Sequence, residues 1–252
     1  MVKILHINCS PVGRTSESSK LSERIIAWLQ KRDPSATVTE RFLGSGTIPH
    51  IDAEYAAALG APEASPAEKH LEGSFSLSEE LVQELEHADY VVMATPMHNF
   101  TIPSTLKAWI DHVARVRRTF TIGKQGKVAR LRDRPVFVAV ASGGRFTGGP
   151  ARQPDFLTPY LRAILGMIGL HDITFFSVEG TAHNPETVAV IRAKTELAVD
   201  AHFSSLYRPA PDASAKQRHL GELLDDGLKQ PFPASDPIAP FIEDRPPSHR
   251  EG

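Results

Sequence analysis

Five short apolar runs, set apart by segments with helical spacing, constrain this chain more than any other feature. They lie at 2–8, 37–43, 90–94, 135–141 and 173–178. The runs at 90–94 and 135–141 are apolar throughout, the pattern of strands covered on both faces in a parallel sheet. Between them, Leu21, Ile25 and Leu29 recur near helical spacing from about Ser18, and Leu77, Leu81, Val82 and Leu85 do so up to His87. A third helix follows Pro103 with Leu106, Trp109, Ile110 and Val113 on one side. Thr158-Pro159 reads as N-cap and first residue of a fourth, and Asn184-Pro185-Glu186 starts a last long one reaching about Tyr207. Strands alternating with helices predict an α/β fold. The simplest form is a doubly wound, five-stranded parallel sheet in the order 2-1-3-4-5, helices on both faces. The segment 120–128, broken by Gly123 and Gly126, reads as a hairpin or irregular excursion, and 44–75 is weakly patterned, with short helical stretches at 53–59 and 66–71.

Composition sets the outer limits. With 252 residues, 41% hydrophobic and 23% charged, the chain suits one large domain or one domain with an appendage. Prolines decide between these: eight of the 20 lie after Arg208, in a stretch with five Lys/Arg and eight Asp/Glu. Residues 1–208 are therefore expected to form the folded unit and 209–252 a Pro-rich acidic extension. Leu220, Leu223, Leu224 and Leu228 suit a short helix there; simple disorder is the plain alternative, while Phe232, Ile238, Phe241 and Ile242 suggest that it wraps a partner subunit or edges the active-site cleft. A net charge of -2 removes the main drive for nucleic-acid binding. The single cysteine, Cys9, excludes an internal disulfide framework and a cysteine-held iron–sulfur cluster. No apolar run is long enough for membrane insertion, and the start of the chain runs straight into a strand without a leader pattern, so a cytoplasmic enzyme is expected.

In a sheet of this kind the ligand sits beyond the carboxyl ends of the strands at the topological switch point. The loops after the first, third and fourth strands meet there. The first offers Ser10, Thr15, Ser16, Glu17 and Ser18 ahead of a helix, and hydroxyls joined to helix N-terminal amides make a phosphate cradle. One such serine taken alone would merely be an N-cap. Neither G-x-x-x-x-G-K-[ST] nor G-x-G-x-x-G follows the first strand, which disfavours a nucleoside triphosphatase or a dinucleotide Rossmann site. The second loop contains Met97, His98, Asn99 and Phe100 between Pro96 and Pro103, suited equally to packing a flat heteroaromatic ring or to a stiffened turn. The third, Ser142-Gly143-Gly144, allows close backbone approach to a ligand, or simply a tight turn.

Together these residues carry a resemblance. Ser10, Ser16-Glu17-Ser18, Pro96-Met97-His98-Asn99-Phe100, Ser142-Gly143-Gly144, Leu157-Thr158-Pro159-Tyr160-Leu161 and Val178-Glu179-Gly180 stand in the order and spacing of the FMN-dependent NADH:quinone oxidoreductases and azoreductases, in the flavodoxin-like superfamily. The resemblance covers residues 1–207. It implies one non-covalent FMN per subunit, a homodimer, and ping-pong two-electron transfer from NADH or NADPH to a quinone or azo compound. By resemblance, the serine loop holds the FMN phosphate, Met97, His98, Asn99 and Phe100 line the isoalloxazine, and Ser142, Gly143 and Gly144 meet its polar edge. His98 departs from the tyrosine frequent in the family, and 209–252 has no counterpart in it.

Hydride transfer is flavin chemistry, so no side chain is expected to be an indispensable acid or base. Phe120, Phe146 and His183 are candidates for the substrate pocket, with core packing the alternative for both phenylalanines and a structural hydrogen bond the alternative for the histidine. The eleven histidines show no ligand spacing such as H-E-x-x-H, so no metal is expected. Between Arg115 and Arg134 eight basic residues face one acid, Asp133; such a strip is a solvated face or attracts the phosphates of the nicotinamide nucleotide. Two other functions stay in view. One is a flavodoxin-type electron carrier or flavin redox sensor, although carriers are usually more acidic than a chain of pI ≈ 6.6. The other is a phosphatase of the low-molecular-weight type built on Cys9 and Arg14, but four residues separate them where five are needed, and Cys9 reads as a small buried residue.

Overall fold

The structure is a computed structural model and describes residues 1–44, 46, 48–60, 73–149 and 151–206. Its elements are β1 (Lys3–Asn8), α1 (Glu17–Arg32), β2 (Thr37–Phe42), α2 (Ala53–Gly60), α3 (Ser74–His87), β3 (Tyr90–Pro96) and α4 (Ser104–Val113). They continue with β4 (Phe120–Gly123), β5 (Gly126–Ala129), β6 (Val136–Ser142), α5 (Leu157–Ile168), β7 (Ile173–Glu179) and α6 (Pro185–Leu206). All five expected strands form within two residues of their expected ends. They pair in parallel in the order β2-β1-β3-β6-β7, which is 2-1-3-4-5 when strands are counted within the sheet. The excursion at 120–128 is an antiparallel hairpin, β4 with β5, outside that sheet. The expected helix at 66–71 and the extension 209–252 lie outside the described residues.

Strand periodicity explains the two faces. Leu5, Ile7 and Cys9 of the first strand and loop join Val91, Met93, Val136 and Val138 in a core that also takes Leu81, Leu85, Leu106, Trp109 and Leu161 from α3, α4 and α5. The alternate residues His6 and Asn8 are also buried but reach Ser22 and Ser19 of α1. On that side, Trp28 of α1 stacks on Phe203 of α6, and Asp200 accepts from the Trp28 indole and the Arg24 guanidinium.

Two local expectations need correction. Helix α5 begins at Leu157, not at a Thr158 cap, because Asp155 Oδ1 accepts from the amides of both Leu157 and Thr158 at 2.9 Å. Asp155, one residue before the cap position, accepts from the first two helical amides, so the helix opens earlier than a Thr158 cap would set it. The basic strip is a solvated face only in part: Lys124, Lys127, Arg130 and Arg132 are exposed, the other four arginines are not. Arg115 and Arg134 are 4% and 5% exposed. Arg115 pairs with Glu79, and Arg118 bridges Glu79 and Glu86 of α3. Arg134 donates to the carbonyls of Leu85, Glu86 and Ala88, closing the carboxyl end of α3 as a cation should. Arg117 donates to the Leu59 carbonyl. These arginines join α3 and α2 to the approach to the hairpin.

Candidate active site

The three loops leave the carboxyl ends of neighbouring strands β1, β3 and β6. The first is organised from below by two buried side chains. Asn8 Oδ1 accepts from the Ser10 amide at 3.1 Å, and Asn8 Nδ2 donates to Ser19 Oγ at 2.9 Å. Ser19 Oγ also lies 2.7 Å from Ser16 Oγ and 2.8 Å from the Gly13 carbonyl. One hydroxyl thus holds the strand end, the loop and the helix cap together. Gly44 presses on this loop from the end of β2, where a Cβ would stand 2.1 Å from the Ser10 carbonyl oxygen, so only glycine fits.

Ser16 is the N-cap of α1, its hydroxyl accepting from the Ser19 amide at 3.1 Å. Four amides at a helix start lack an intrahelical acceptor. Here the Ser16 amide is taken by the Gly13 carbonyl and that of Ser19 by the cap, so the Glu17 and Ser18 amides form the pair suited to an anion. The Glu17 carboxylate would repel such an anion, but Arg192 at 2.9 Å and Lys20 at 2.7 Å neutralise it. Ser10 and Ser18 are both buried, and Ser18 Oγ lies 3.3 Å from the Ser16 hydroxyl. Beneath them His6 Nε2 lies 2.9 Å from Ser22 Oγ, and burial pulls its pKa down, which keeps the ring neutral.

The second loop is a tight turn. His98 and Thr101 exchange both backbone hydrogen bonds, at 2.9 and 3.0 Å, which forces Asn99 and Phe100 to positive φ values of 47° and 70°. Asparagine tolerates that region; phenylalanine does so at a cost of about 1–3 kcal/mol, the kind of strain concentrated at ligand sites. The turn exposes His98, Asn99 and Phe100, with Phe100 44% exposed. Met97 stays buried behind them, its amide donating to the Ala141 carbonyl at 2.8 Å.

In the third loop Ser142 is buried and Gly143 exposed. Its carbonyls accept from the loop after β7: Ser142 from the Thr181 amide at 3.0 Å, Gly143 from Ala182 at 3.4 Å and Gly144 from Gly180 at 3.3 Å. Glu179 holds the rest, accepting from the amides of Phe146 and Thr147 and the hydroxyls of Thr147 and Ser177 at 2.5–3.1 Å. Burial alone would raise that carboxyl, but these four donors outweigh it and hold it below the usual range.

The expected pocket residues separate. Phe120 is 8% exposed and packs in the core beneath Lys127. Phe146 is half-buried against the core in the third loop, and His183 is exposed with its ring beside Gly180. Sequence reasoning missed Asn8 and Ser19; the signal was an asparagine ending the first strand ahead of serines at 16, 19 and 22, one helical turn apart. It also missed Gln153, whose amide bridges the second and third loops. Beside the third loop a cleft of ≈ 420 Å³ runs between β7 and α6, with Phe176 in its wall and Arg145 and Lys194 at its edge.

Cys9 and Arg14 do not form a phosphate loop. Cys9 is 1% exposed on the core side, where burial pushes its thiol well above the ordinary range, and Arg14 points outward to Glu40. Among the described residues no group of three or more His, Cys, Asp or Glu is placed to hold a metal, and no helix is long and apolar enough to cross a membrane.

Comparison with known proteins decides the family. The flavodoxin-like fold family matches residues 2–203. FMN-dependent NADH:quinone oxidoreductase 4 of Pseudomonas fluorescens is 43% identical over 208 residues, 82% of this chain and 98% of the relative. This chain belongs to the FMN-dependent NADH:quinone oxidoreductase family. A second member, oxidoreductase 5 of Burkholderia lata, is 44% identical over 80% of this chain and 95% of its own. Among solved structures, an FMN-dependent NADH-azoreductase of Bacillus anthracis in complex with FMN superposes with a TM-score of 0.65 at 27% identity, covering 80% of this chain and 99% of that one. Family membership thus covers the region of the three loops and leaves 209–252 beyond the match.

Proposed function

We propose that this protein is an FMN-dependent oxidoreductase that moves two electrons from NADH or NADPH to quinones and aromatic azo compounds by a ping-pong mechanism. The observation that carries the reading is the 43% identity to an FMN-dependent NADH:quinone oxidoreductase over nearly that protein's whole length. Donor chemistry in the three loops fits the cofactor. The amides of Glu17 and Ser18 and the Ser16 hydroxyl suit a phosphate, with Ser10 and Ser18 as its inner wall. Met97, His98, Asn99 and Phe100 suit a flat ring. Gly143 leaves room for close approach, since a Cβ there would meet only Ala182 at 3.6 Å.

Bound FMN would supply hydride acceptance from the reduced nucleotide and its delivery to the acceptor. The chain binds, orients and shields. The exposed Phe100 ring and half-buried Phe146 would offer apolar surface to planar substrates, and His183 would donate a hydrogen bond to a reduced acceptor. With Arg115, Arg118 and Arg134 committed to α3, positive charge for the nucleotide's phosphates comes from Arg145 and Lys194 beside the third loop. A homodimer is part of this reading, supported by exposed Phe100 and Phe156 next to the site and Ile122 and Val128 on the hairpin. Dependence on a reduced nucleotide and one unpaired cysteine suit the cytoplasm. Residues 1–208 carry the activity, with 209–252 as an appendage.

Stopped-flow mixing of the FMN-loaded protein with NADH, then with a benzoquinone, tests this. Full flavin bleaching by NADH and full recovery with quinone are expected. Flavin that NADH cannot reduce would favour an electron carrier or redox sensor.

A further inference from the structure

Gln153 lies eleven residues beyond the third loop's serine, in a segment no sequence signal marked, yet it touches both ring-side loops. Its Nε2 donates to Ser142 Oγ at 2.8 Å and to Met97 Sδ at 3.1 Å. A thioether has no hydrogen to give, so the nitrogen must face Met97, and this fixes which way round the amide sits. Both amide hydrogens are then used. Its Oε1 is directed against Gly144, where a Cβ would stand 2.3 Å away. Among the described residues no hydrogen bond to Oε1 is shown, so a half-buried carbonyl acceptor of fixed orientation faces the backbone of the third loop. Two residues on, Asp155 caps α5, and the Phe156 amide donates to the Phe100 carbonyl at 2.9 Å, which holds the segment against the second loop.

An acceptor with its donors already committed selects a ligand donor. The pyrimidine edge of an isoalloxazine carries one, the N3–H between two carbonyls. We propose that Gln153 Oε1 is the acceptor for the flavin N3–H, oriented for that role by Ser142 and Met97, and that Gly144 is glycine because the amide needs the space. This rests on the flavin reading above. Gln153 is then a cofactor-binding residue, while Ser142 and Met97 act partly by positioning it.

The test is a binding cycle read by flavin fluorescence quenching, using FMN and its N3-methyl derivative with the full-length wild type, Gln153→Met, which keeps the volume and lacks the acceptor, and Gly144→Ala, which displaces the amide. One hydrogen bond of ordinary strength predicts that N3-methylation weakens wild-type binding about tenfold. Both variants should bind FMN about tenfold more weakly and be nearly indifferent to the methyl group. Equal loss on methylation in all three proteins would overturn the inference while leaving the flavin reading intact. Failure of the folded wild type to bind FMN at all would overturn both. Thermal melts check folding, and should Gly144→Ala not fold, Gln153→Met decides alone.

Discussion

Removing the Ser19 hydroxyl should damage phosphate binding more than anything else a single buried atom controls. Ser19 Oγ sits within 2.7–3.2 Å of Ser16 Oγ, the Gly13 carbonyl and both side-chain polar atoms of Asn8. In Ser19→Ala the Asn8 amide donor loses the partner seen here in a buried setting, a penalty of about 1–3 kcal/mol. Chemical denaturation should therefore show a stability loss of about 2 kcal/mol. The cap also loses its brace, so the Ser16 hydroxyl and the Glu17 and Ser18 amides no longer converge on one point. Loss of one charge-assisted hydrogen bond, worth about 1.5–3 kcal/mol, weakens FMN binding roughly 10- to 150-fold. Riboflavin has the same ring and no phosphate, so its affinity should stay within about twofold. Parallel fluorescence titrations with the two flavins give the ratio directly. A ratio of FMN to riboflavin affinity unchanged from wild type would refute the hub and the phosphate cradle built on it.

Charge reversal at Arg145 and Lys194 together should raise the KM for NADH about tenfold and leave that for quinone within about twofold; equal effects would remove the cleft from the donor's path. Because hydrogen bonds depress the Glu179 carboxyl below its unfolded value of about 4.3, the stability it lends the third loop is fully present above that pH and is lost as pH falls through the folded value. Flavin release followed by fluorescence should therefore begin below about pH 4 in wild type, and Glu179→Gln should flatten that acid step; superimposable curves would contradict the assignment. A chain ending at Arg208 should keep FMN affinity and turnover within about twofold, and a larger loss in either would make 209–252 part of the catalytic unit.

What could be read from sequence follows from how far each signal reaches along the chain. Strands such as Val136–Ser142 announce themselves because a parallel strand covered on both faces is apolar at every position. The three loops were legible because strand order alone brings β1, β3 and β6 side by side. Partnerships across long separations were not. The arginines at 115, 118 and 134 looked like a solvated strip because their partners, Glu79, Glu86 and the carbonyls ending α3, lie 32 to 49 residues away. Phe120 looked available to substrate, and its burial depends on how the hairpin folds back on the core. Gln153 has no local pattern, since its role depends on two loops meeting. Cys9 stands at the right strand end for a phosphate-loop nucleophile, but its spacing to Arg14 already spoke for a small buried residue, and strand alternation turns it into the core.

Reduction of the flavin by its donor is the most direct test of the central claim. Anaerobic titration of the FMN-loaded protein with NADH, followed at the flavin absorbance, should reach full bleaching at about one equivalent per bound FMN, and one equivalent of a benzoquinone should restore the colour. Protein that binds FMN through these loops yet stays yellow under excess NADH would contradict it.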